Sequence, residues 1–127
     1  MKLTGIDHLV LTVEDLEASC AFYEDLGAEV VTFGDDRKAI RFGEQKINLH
    51  QVDNNINLVA EEPTPGGGDF CLLTETPIEE VKRQLHKRDI EIITGPVERS
   101  GAVGTITSVY FRDPDSNLVE IGTYDEE

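Results

Sequence analysis

Across 127 residues, 26 acidic side chains stand against 11 basic ones, a formal net charge of −15 that would repel the phosphates of nucleic acid or of an anionic membrane surface. No apolar run approaches the ~18 residues of a membrane helix, and the N-terminus shows no basic-then-apolar leader. A hydrophobic content of 39% suits one soluble globular domain, which we place in the cytoplasm. The acids are scattered, from Glu14 and Asp15 through Glu61, Glu62, Glu79 and Glu80 to Asp125, Glu126 and Glu127. That pattern describes a hydrated surface in a salty cytoplasm better than a docking patch for a cation.

The first element is an alternating strand over residues 6–13. Asp15 then stands where its carboxylate can accept the free amide hydrogens of a helix start. That helix is predicted over Leu16 to Leu26, with Leu16, Cys20, Phe22, Tyr23 and Leu26 as its core stripe, and Gly27 supplies the left-handed residue that ends it. Strands follow at Glu29 to Thr32, Ala39 to Phe42 and Lys46 to Val52, joined by turns at Gly34-Asp35-Asp36 and Gly43-Glu44. Residues 53–68 break the pattern, with prolines at 63 and 65 and three glycines at 66–68.

The plan then repeats. A strand at Asp69 to Glu75 leads to a helix over Pro77 to Lys87, for which Thr76, Pro77 and Glu79 offer a capping box. A strand at Glu91 to Thr94, a mobile loop over residues 95–104 and a hairpin of Thr105 to Phe111 with Leu118 to Tyr124 complete it. The order is β-α-β-β-β twice: module one is 1–62, the linker 63–68 and module two 69–127. A unit so small cannot bury its apolar face alone, so the halves must pack on each other or across a dimer. Cys20 and Cys71 lack CxxC spacing and are expected to be buried reduced thiols.

His8 in the first strand, taken alone, reads more often as a satisfied core or surface histidine than as a metal ligand. Glu120 sits within the apolar run Leu118-Val119-Glu120-Ile121, where a carboxylate is costly unless paired or facing water. Asn48 and His50 share one face of the fourth strand by the period-two rule, and Asp69 opens the fifth strand at the place matching His8. Imidazole with carboxylate oxygens suits a divalent Zn, Mn, Fe, Ni or Co ion. His86, beside Lys87 and Arg88, reads as solvated. No phosphate-binding glycine loop or nucleophilic serine motif occurs, and no serine has an evident base beside it.

Three segments resemble the vicinal oxygen chelate superfamily, which includes glyoxalases, bleomycin-resistance proteins and extradiol dioxygenases. They are Ile6-Asp7-His8-Leu9-Val10-Leu11-Thr12-Val13, Ala21-Phe22-Tyr23-Glu24-Asp25-Leu26-Gly27 and Phe111-Arg112-Asp113-Pro114-Asp115-Ser116-Asn117-Leu118-Val119-Glu120-Ile121. Phe42-Gly43-Glu44-Gln45-Lys46-Ile47-Asn48-Leu49-His50 looks like the glyoxalase domain-containing protein 5 branch. The resemblance implies an α+β fold of two βαβββ modules forming an eight-stranded open barrel-like sheet around a divalent metal, often in a homodimer. It implies metal ligands at His8 and Glu120, with Asp69 where the family usually has histidine and Asn48 or His50 on the fourth strand. Glu120 would also be catalytic. The expected function is a metal-dependent lyase, isomerase or dioxygenase acting on a small oxygen-chelating metabolite. The alternative is a metal-free protein sequestering a cationic small molecule, as bleomycin-resistance proteins do.

Overall fold

The structure is a computed structural model in which residues 1–125 are described; Glu126 and Glu127, the end of the second module, lie outside the described residues. Its backbone divides into two compact units, Met1–Gly67 and Gly68–Glu127. Both have the β-α-β-β-β order read from the sequence, and the eight strands hydrogen-bond as two sheets of four.

In the first unit β1 (His8–Val13), α1 (Leu16–Asp25), β2 (Glu29–Phe33), β3 (Arg37–Phe42) and β4 (Gln45–Gln51) give the sheet order β1-β4-β3-β2. β1 runs parallel to β4, which the crossover through α1 permits. One sheet face is apolar: Leu11, Val13, Ile40, Ile47 and Leu49 are all buried. Asp15 caps α1 as its carboxylate accepts the Ala18 amide at 3.1 Å, and Gln51 Oε1 accepts the Leu16 amide at 3.1 Å. The predicted helix stripe narrows on inspection. Ser19 and Tyr23 are the buried residues of α1, whereas Leu16, Cys20 and Phe22 are half-buried. A ten-residue helix against one sheet covers fewer positions than a full 3.6-residue stripe.

The second unit comprises β5 (Asp69–Leu73), α2 (Ile78–Lys87), β6 (Thr94–Ser100), β7 (Thr105–Arg112) and β8 (Leu118–Tyr124), in sheet order β5-β8-β7-β6. Val109, Phe111 and Val119 are buried on one face of its sheet, and Val81 and Leu85 are buried on α2.

Three expectations change here. Residues 95–100 are strand rather than mobile loop, and residues 91–93 are not strand. β6 is an edge strand whose register shifts between Thr94 and Val97, so Pro96 falls in a bulge where its missing N–H breaks no central ladder. The capping box does not form: Pro77 is itself the N-cap of α2, without a side-chain cap bond, and the Thr74 hydroxyl accepts the Thr76 amide instead. Both cysteines are free, yet Cys71 is exposed rather than buried, because strand parity turns it away from the Phe70 and Leu72 side of β5.

Candidate functional site

Register shows which side chains share a face. On the polar face of the first sheet, β1 presents His8, Val10 and Thr12 opposite Lys46, Asn48 and His50 of β4, while β3 adds Ala39 opposite Asn48. Arg37 and Phe33 lie across from each other on β3 and β2. Asn48 and His50 are buried, at 5% and 6% exposure.

Arg37 Nη2 donates to His50 Nε2 at 3.2 Å. Because a guanidinium only donates, this bond puts the imidazole proton on Nδ1. That N–H is buried with no acceptor, and Asn48 Oδ1 is buried with no donor. Burial first, and then the Arg37 charge, hold the His50 imidazole below its usual pKa, so it stays neutral. Two cations lie over the Phe33 ring, the Arg37 guanidinium 5.0 Å and the Lys46 ammonium 3.8 Å from its centroid. Neither cation forms an ion pair with a described acid. In a chain of net charge −15 this face is locally basic, which disfavours a cationic ligand there.

His8 stands at the other end of the ladder. It pairs with Lys46, four residues before the position of His50, so the two imidazoles are separated by roughly 13 Å of strand. Donors to one ion lie far closer than that, and the structure does not bring His8 and His50 together. His8 Nδ1 donates to Asp7 Oδ1 at 2.8 Å, so Nε2 is the nitrogen left to face a ligand at a half-exposed ring. A carboxylate orienting an imidazole in this way is the usual support for a metal-binding histidine.

In the second unit Glu120 of β8 pairs with Cys71 of β5 and Tyr110 of β7, and Asp69 lies one diagonal step away opposite Leu118. Glu120 Oε2 is buried without a hydrogen-bond partner, as is Ser108 Oγ. Burial pushes the Tyr110 hydroxyl pKa up; its bond to Arg99 opposes this and Glu120 reinforces it. Much of Cys71 is exposed, yet its sulfur lies close to Gly122. Local burial, with the Glu120 charge behind it, pushes the thiol up to about 11.

The Asp113–Asn117 turn holds Glu120 and Asp69 in place. Buried Asp113 accepts the amides of Asp115 and Asn117, each at 2.9 Å, and the Asn117 side chain at 2.8 Å. Asn117 Oδ1 then accepts the Gly68 amide at 2.7 Å, tying the start of β8 to the residue before Asp69. Sequence reasoning took these residues as a turn and missed this role. It also passed over Arg37 and Tyr110 and took Cys71 only as a buried thiol, since the signal for all three is strand parity once register is known. His86 is exposed on α2, as expected. Among the described residues no three His, Cys, Asp or Glu side chains gather closely enough to hold a metal ion.

Comparison with known proteins agrees with this architecture. Residues 5–121 match the family model of the glyoxalase/bleomycin resistance protein/dioxygenase superfamily. The chain is 51% identical to the virulence protein STM3117 of Salmonella typhimurium over 98% of this chain and 87% of that protein, and the crystal structure of STM3117 superposes with a TM-score of 0.95 over 98% of this chain and 100% of that one. It is 43% identical to the glyoxalase domain-containing protein RDO1 of Mycosarcoma maydis, covering 99% of this chain and 72% of RDO1. The lactoylglutathione lyase of Agrobacterium tumefaciens is more distant, at 26% identity and a TM-score of 0.72 over 97% and 96% of the two chains. With the modules, the turn and the family match in agreement, the chain belongs to the glyoxalase/bleomycin resistance protein/dioxygenase superfamily.

Proposed function

We propose that this protein is a metal-dependent enzyme of its superfamily, of lyase, isomerase or dioxygenase type, acting on a small metabolite that chelates through adjacent oxygens. The observation that carries this reading is Glu120: its Oε2 is buried without a hydrogen-bond partner on an apolar strand, a position that a bound cation would satisfy. In the second unit the donors we assign are Asp69 and Glu120, and in the first unit His8, through Nε2, is a separate candidate ligand. His50 leaves this set because Arg37 occupies its Nε2 and its ladder position is distant from His8. A divalent Zn, Mn, Fe, Ni or Co ion, when bound, would draw charge from the substrate oxygens. Glu120 is the group we assign to holding the transferred proton, with the Tyr110 hydroxyl hydrogen-bonded beside it.

The likeness to RDO1 and to a lactoylglutathione lyase supports an enzymatic reading, and likeness to the glyoxalase domain-containing protein 5 branch belongs with it. A homodimer is part of the same proposal, supported by apolar Leu9 and Val10 left exposed on β1. So is a cytoplasmic location, supported by two free cysteines. No described helix is long and apolar enough to cross a membrane.

The test is metal content, measured on protein purified without chelator, together with light scattering for the dimer. Stoichiometric metal that is lost in folded His8→Ala and Glu120→Gln variants is the expected result. Protein that takes up none of the five metals, or variants that retain full occupancy, would refute it.

A further inference from the structure

The geometry points to a recognition site for a small hydroxylated organic anion on the polar face of the first sheet, formed by Arg37, Lys46, Asn48 and His50. It names the substrate class of the enzyme proposed above, and rests on that reading only in treating the bound anion as substrate. Two buried polar atoms carry the argument. His50 Nδ1–H is a donor without an acceptor and Asn48 Oδ1 an acceptor without a donor. Each costs free energy in the empty protein that a matching ligand would recover. They stand two residues apart on one strand face, roughly 7 Å, about the span of a three- or four-carbon molecule.

Charge specifies the rest of the ligand. Arg37 uses Nη2 on His50 and keeps further N–H donors on a solvent-exposed residue. Arg37 and Lys46 both lie over the Phe33 ring, and no described acid pairs with either. A carboxylate would accept from Arg37 and from His50 Nδ1–H, and a hydroxyl on the neighbouring carbon would donate to Asn48 Oδ1. A neutral ligand leaves the cations unused, and a cation is repelled by them.

The test is calorimetric titration of the full-length protein, both as purified and after passage over a chelating resin. The probes are glycerate, its neutral amide glyceramide, and propionate, which has the charge without hydroxyls. Glycerate is expected to bind about tenfold more tightly than either control, the worth of one good charge-assisted hydrogen bond. Folded Arg37→Gln should abolish the glycerate–glyceramide difference, and Asn48→Leu the glycerate–propionate difference, with or without resin treatment. The inference is overturned if glycerate does not bind, if folded Arg37→Gln binds it like wild type, or if the preference disappears with the metal. A protein that never takes up metal yet keeps the Arg37-dependent preference supports this site while refuting the metal reading.

Discussion

Gly95 and Gly27 form a matched pair that separates backbone conformation from steric crowding. Their φ angles are +116° and +115°, so a side chain at either meets the same left-handed penalty, about 1–2 kcal/mol. Their surroundings differ. A Cβ on Gly27 would have nothing within 4 Å, whereas on Gly95 it would lie 2.5 Å from the Ser108 carbonyl oxygen and 2.9 Å from Val109 Cα. Both obstacles are backbone of β7, which can yield only by disturbing the ladder that pairs Thr94 with Tyr110 and Val97 with Ser108. Overpacking of this kind adds about 1–3 kcal/mol. Gly27→Ala is therefore expected to cost ~1–2 kcal/mol and Gly95→Ala ~3–5 kcal/mol. The check is urea denaturation followed by circular dichroism, with unchanged m-values. Recovery of Gly95→Ala only as aggregate beside a folded Gly27→Ala would be the same result in stronger form. Equal costs for the two variants would refute the reasoning, since crowding against β7 would then contribute nothing.

Three further outcomes follow from buried polar groups. Asn48→Leu removes a buried carbonyl that no donor satisfies, so it should be neutral to stabilising by about 1 kcal/mol in thermal melts, not destabilising as core changes usually are. His50 is held below its ordinary value, so the native state favours the neutral ring: its contribution is complete above about pH 6.5 and is lost as pH falls below that. Wild type should accordingly lose more stability than His50→Gln between neutral and mildly acid pH, and parallel curves would exclude the effect. With its thiol near 11, Cys71 should be alkylated at pH 8 roughly a hundredfold more slowly than a free thiol despite its exposure, and should speed up as pH rises toward 10. Mass spectrometry of the labelled peptide reads this directly, and labelling at the rate of glutathione would contradict it.

Local chemistry alone was enough to establish the repeated β-α-β-β-β order, the cap at Asp15, the turns at residues 34–36 and 43–44 and the reversal at Asp113. Each depends on a side chain acting within about four residues of itself. The superfamily was legible for a related reason, because its signatures lie in those same short segments. β6 was missed because a Gly-Pro pair reads locally as a loop, and only its place on a sheet edge makes a bulged strand tolerable there. Cys71 was misplaced because parity has no meaning until a register is set.

Tertiary structure alone could decide the partners of the candidate residues. Sequence put Asn48 and His50 on one face, but not Arg37 on the His50 imidazole, thirteen residues away along the chain. Nor could it show that four residues of parallel ladder separate His50 from His8. Such relations depend on strand pairing, in which a shift of one residue turns every side chain to the opposite face. That register is selected by the buried apolar face as a whole and is not encoded at any single position.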